Sequence, residues 1–127
     1  MISTIAAIGT GGALGAILRH GVNVGAVQVF GHGFPMGTLI VNILGSFLMG
    51  VLIALFAHSI QTSNEIKLFL TTGFLGAFTT FSAFSLDFVT LYERGDIAMA
   101  GGYAAASVIL SILALFAGLL LIRGMVA

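Results

Sequence analysis

A few side chains stand out in a chain built mostly of aliphatic residues. Asn42 lies in an apolar stretch and carries an amide with two N–H donors and an acceptor oxygen. Residues 71–85 read Thr-Thr-Gly-Phe-Leu-Gly-Ala-Phe-Thr-Thr-Phe-Ser-Ala-Phe-Ser, which is four threonines, two serines, two glycines and four phenylalanines. Tyr103, Ser107 and Ser111 are spaced by four and share one helical face. Hydroxyls and amides donate, and the edge of a phenyl ring is electropositive. Phe81 and Phe84, at i and i+3, present two such rings on one face. Thr80, Ser82 and Ser85 add hydroxyls beside them. A donor-rich interior without acids suits a small dehydrated anion.

Each of these residues is also open to a plainer reading. Asn42 is either structural glue to a neighbouring helix or a donor to a passing ion. Arg19 lies about 28 Å along a helix rising ~1.5 Å per residue, near the far interface of a bilayer core. It either snorkels to the headgroups or sets a positive field at a pore mouth. The phenylalanine stripe is either packing or an ion path. Glycines and back-bonding hydroxyls weaken the helical ladder, which predicts a break near Gly76–Thr80. A broken membrane helix is tolerated where its freed carbonyls are buried or coordinate a cation. The plainer alternative is an unbroken helix packed tightly through its glycines.

Other chemistries lack their residues. No Asp or Glu sits at the centre of an apolar segment; Asp87 comes nearest, towards the end of the third. No nucleophile–base pair or metal-ligand cluster points to an enzyme. His20, His32 and His58 are scattered near predicted helix ends and loops. There is no cysteine. A formal net charge of zero gives no basic surface for nucleic acid.

The elements that position these residues follow from composition. Of 127 residues, 59% are hydrophobic and 6% charged, against roughly 25% charged in soluble domains. A span needs about 20 mostly apolar residues. Four segments qualify, at about 2–29, 36–57, 65–92 and 97–122. They predict an all-α membrane protein with a single four-helix domain, embedded in the lipid bilayer. A Gly-His-Gly-Phe-Pro stretch, residues 31–35, separates the first two spans, and Ser63 or Asn64 is placed to cap the third. Residues 1–18 hold no Lys or Arg for a basic leader region, so the first apolar stretch is expected to be retained. Lys67 and Arg123 fall on one side of the membrane and Arg94, with Arg19 if it reaches the interface, on the other. So small a bias is compatible with insertion in both orientations and with an antiparallel pair, or with orientation by other cues. Gly11/Gly15 and Gly21/Gly25 offer small-residue spacing for close helix approach.

The segments Gly37-Thr38-Leu39-Ile40-Val41-Asn42-Ile43-Leu44-Gly45 and 71–85, with the glycines and Leu18-Arg19 of the first span, resemble the small bacterial fluoride channels called Fluc or CrcB. The resemblance covers essentially the whole chain. It implies an antiparallel, dual-topology homodimer in the bacterial cytoplasmic membrane, its third helix broken near the middle. It also implies passive fluoride export that protects the cell, with a structural sodium ion (Na+) at the dimer centre. By motif position, Gly76 and Thr79 supply backbone carbonyls to sodium. Asn42, Phe81, Phe84, Ser82, Thr80, Tyr103, Ser111 and Arg19 fall on the fluoride pathway. Ala83 stands where the family commonly has threonine, and Ser107 and Leu110 where asparagine and glycine are expected. The competing expectation is a small four-helix proton-coupled multidrug exporter, which requires a membrane carboxylate such as Asp87.

Overall fold

A computed structural model describes residues 1–126. The chain is all helix: α1 (Ile2–Phe30), α2 (Met36–His58), α3 (Asn64–Leu68), a π-helical stretch at Phe69–Leu75, α4 (Gly76–Phe78), α5 (Phe81–Glu93) and α6 (Ile97–Val126). Four helical stretches are long and apolar enough to cross a membrane: Ile2–Phe30, Met36–His58, Asn64–Glu93 and Ile97–Val126. The third of these contains every element from α3 to α5.

Backbone chemistry sets the ends. Gly31, at φ 77°, closes α1 in a conformation that a side chain disfavours. Ser63 caps α3, its Oγ accepting from the Ile66 amide at 3.3 Å. Gly95, at φ 86°, turns the chain between α5 and α6. Arg94 spans this end of the bundle, donating from Nη2 to the Gly33 carbonyl at 2.8 Å and pairing with Asp96 at 3.4 Å.

Glycines set how closely the helices approach. On α1, Gly11 lies against the Phe69 carbonyl and Gly15 against the Phe74 carbonyl, while Gly73 returns the contact against Ile8 and Gly11. This grip coincides with the π-helical stretch. In contrast, Gly21 and Gly25 have no neighbour within 4 Å of where a Cβ would stand. The two GxxxG pairs therefore differ: the first packs within the chain and the second is open.

Helices α2 and α6 run in the same direction. Leu39, Ala100 and Tyr103 share one apolar cluster, and further along Gly50 lies against the Leu115 carbonyl and Gly118 against that of Phe47. A second cluster joins Val41, Leu75 and Phe78.

Candidate functional site

The centre of the site is the stretch Thr79–Thr80. The last i→i−4 bond of α4 runs from the Thr79 amide to the Leu75 carbonyl at 3.0 Å, Thr79 and Thr80 are extended (φ/ψ −87/159° and −155/126°), and α5 begins at Phe81. A gap in a membrane helix leaves polar backbone groups that need partners. Asn42, from α2, supplies two. Its Nδ2 donates to the Thr80 carbonyl at 3.0 Å, and its Oδ1 accepts from the Thr80 amide at 2.8 Å. Thr80 also caps α5, its Oγ1 accepting from the Ala83 amide at 3.1 Å. Arg19 reaches the same place from α1, donating from Nε to the Ala77 carbonyl at 3.1 Å.

These bonds redirect the usual i→i−4 ladder. The Thr80 amide goes to Asn42 and the Ala83 amide to the Thr80 hydroxyl, so the carbonyls of Gly76 and Thr79 do not receive them. The Thr79 hydroxyl is not free, because it donates to the Leu75 carbonyl at 2.9 Å. What Gly76 and Thr79 offer is backbone oxygen.

Beside the gap lies a cavity of about 330 Å³. Asn42, Thr79, Thr80, Phe81, Phe84 and Ser111 line it, together with Ser46 and Ser107. Apolar residues, among them Met49, Leu75, Ile112 and Leu115, make up most of the remaining wall. No charged side chain lines this cavity. The rings of Phe81 and Phe84 stand 5.4 Å apart at 51°. Phe81 is 76% exposed on the single chain, at the open rim. Among the described residues, Ser107 Oγ and Ser111 Oγ are buried without any hydrogen-bond partner. An unpartnered buried hydroxyl costs about 1–3 kcal/mol, so two on one wall are free to donate to a guest or a water in the cavity.

Not every residue expected at the site lines this cavity. Ser82 stands just outside, its hydroxyl 3.2 Å from that of Thr80. Arg19 holds the backbone of the gap from behind. Tyr103 is fully buried beside Phe84, ring centroids 5.3 Å apart, and its hydroxyl donates to Asp87 Oδ2 at 3.0 Å. Asp87 in turn lines a smaller cavity of about 170 Å³ near the loops, with His32 and Arg94.

Thr38 and Ser46 were absent from the sequence-based set. Thr38 is buried, and Ser46 lines the larger cavity. Their signal was available, since Thr38, Asn42 and Ser46 are spaced by four on α2, as Tyr103, Ser107 and Ser111 are on α6. Each α6 residue follows its α2 counterpart by the same 65 positions (103 minus 38, 107 minus 42, 111 minus 46). Gly50 and the Leu115 that it touches keep that offset. On two parallel helices this makes three polar rungs at matching heights.

Four apolar spans, a helix gap held by an amide and an uncharged, hydroxyl-lined cavity define a multi-pass membrane protein built around a polar route for a small solute. Residues 6–119 match the family described as CrcB-like protein, Camphor Resistance (CrcB), and the chain belongs to that family. It is 54% identical over the full length of both chains to a fluoride-specific ion channel FluC of Cereibacter sphaeroides. It is also 55% identical to a protein of the same name from Mesorhizobium japonicum, over 91% of this chain and 92% of the relative. A third, from Agrobacterium fabrum, is 51% identical over 95% of this chain and 97% of the relative.

Proposed function

We propose that this protein is a fluoride-selective ion channel of the bacterial cytoplasmic membrane that lets the anion leave the cell passively. The observation that carries this reading is the cavity below Thr79–Thr80, whose polar wall is amide and hydroxyl without a single carboxylate. Fluoride is small and tightly hydrated, so dehydration is the barrier to its passage. The Asn42 amide, the hydroxyls of Thr80, Ser107 and Ser111, and the edges of Phe81 and Phe84 replace lost water one step at a time. Larger anions fit such a narrow donor set poorly. Tyr103, Ser82 and Arg19 border the route, the first through its bond to Asp87 and the last by holding the backbone at Ala77.

No fuel is required. In acidic surroundings fluoride enters cells as neutral HF, which ionises in the less acidic interior. The membrane potential then drives the anion outward with about 2.3 kcal/mol per charge per 100 mV.

The assembly in this proposal is an antiparallel, dual-topology homodimer with the broken third helix of each copy at its centre. Support comes from the near-equal split of Lys and Arg between the two sides and from the open face at Gly21 and Gly25. The carbonyls of Gly76 and Thr79, relieved of two helix bonds, fit a hard monovalent cation that prefers oxygen ligands. A sodium ion held there by both copies would tie the two gaps together. A proton-coupled exporter fits less well, because Asp87 lies off the larger cavity and is engaged by Tyr103.

The test is fluoride loss from liposomes containing the purified protein, read with a fluoride electrode beside a chloride control. Fast fluoride loss with chloride retained supports the proposal. Retention of fluoride by liposomes containing folded protein removes it.

A further inference from the structure

Several hydroxyls in the spans of this chain are spent on their own helix. Those of Thr10, Thr71, Thr79, Ser85 and Thr90 donate to the carbonyl four residues back, at 2.7–3.0 Å. Such back-bonding is the ordinary way for a helical Ser or Thr to satisfy its proton in an apolar setting. Ser107 and Ser111, which line the larger cavity together with Ser46, do not use it. Ser107 is only 6% exposed and still unpartnered. Of the cavity hydroxyls, that of Thr79 is spent on the Leu75 carbonyl, while those of Ser107 and Ser111 have no partner in the chain.

Ser46 sits level with Ser111 on the third rung of the α2–α6 pair. Past this rung the wall turns apolar, with Met49 and Leu115 in the lining and Gly50 drawn against the Leu115 carbonyl. A dehydrated anion moving from that side meets no other donor before Ser46 and Ser111. One hydroxyl replaces a single water contact, whereas two facing hydroxyls replace two. The need for both is greatest where the apolar wall begins.

We propose that Ser46 is a further anion-binding residue, its hydroxyl joining that of Ser111 in the last donor pair of the cavity. The inference rests on the fluoride-channel reading and adds to it a position and a residue. Removing one hydrogen bond to a charged guest costs about tenfold or more in occupancy. Ser46→Ala is therefore expected to slow fluoride efflux about tenfold and to raise the half-saturating fluoride concentration. Ser46→Cys, similar in size with a weaker donor, falls between alanine and the parent. Thr10→Ala removes a hydroxyl that donates to the Ala6 carbonyl at 2.7 Å outside the cavity lining, and serves as the control with unchanged efflux.

Efflux and half-saturation are measured in proteoliposomes, with size-exclusion profiles to establish that each variant is folded. The graded order parent, Cys, Ala supports the proposal. Parent-like efflux from Ser46→Ala overturns it and leaves the channel reading standing. Equal slowing by Cys and Ala also overturns it, because that result points to packing. A parent protein that does not release fluoride overturns both.

Discussion

Asn42→Ala is the sharpest perturbation that the site offers. Among the described residues, Asn42 is the only side chain bonded to both polar groups of Thr80, at 3.0 and 2.8 Å. Alanine leaves the Thr80 amide and carbonyl without partners at membrane depth. Each orphaned group costs about 1–3 kcal/mol, so the gap geometry is disfavoured by about 2–6 kcal/mol. That corresponds to a factor between roughly 30 and 10⁴ in population. The same change removes the cavity's only amide donor. Efflux should therefore fall at least about 30-fold, while the four spans remain helical, since no helix-ending residue is touched. The assay is fluoride release from proteoliposomes at matched protein density, with circular dichroism on the same preparation. Efflux within threefold of the parent would refute the reasoning, because the gap would then hold its shape without Asn42.

Five further outcomes are expected. Gly15→Ala drives a methyl into the Phe74 carbonyl and should destabilise the fold by about 1–3 kcal/mol, read as a lower unfolding midpoint in detergent. Gly21→Ala meets nothing within 4 Å in the chain and should leave that midpoint unchanged if only intrachain packing is at stake. Replacing sodium with a large organic cation should lower the thermal midpoint of the purified protein. Because Thr79 already spends its hydroxyl on Leu75, Thr79→Val should keep this sodium dependence, and its loss would make the side chain a ligand. Arg19→Ala leaves the Ala77 carbonyl unbonded and should cost about 1.5–3 kcal/mol of stability in the same melt.

How far the sequence reveals such a protein depends on the range of the forces involved. Membrane spans are written in local hydrophobicity, so long apolar runs such as Met36–His58 are legible without a structure. The weakness of residues 71–85 as a helix was equally local. The gap itself was not, because its place at Thr79–Thr80 is set by an amide 38 positions away. The π-helical stretch had no signal of its own and coincides with the grip of Gly11 and Gly15 on the carbonyls of Phe69 and Phe74. Nothing in spacing distinguishes that pair from Gly21 and Gly25, where a Cβ would meet nothing within 4 Å among the described residues. Arg19 was weighed between the headgroups and a pore mouth; its bond to the Ala77 carbonyl, 58 positions away, had no signal in the sequence. Ser46 repeats the spacing of Asn42 and was readable, but only in hindsight of its partner on α6.

The central claim is that the hydroxyl-lined cavity conducts fluoride. It is met most directly by comparing fluoride and chloride release from liposomes carrying the unmodified protein under an imposed membrane potential. Rapid, potential-driven loss of fluoride with chloride retained is the expected result. Equal loss of both ions, or retention of both by a folded protein, would contradict it.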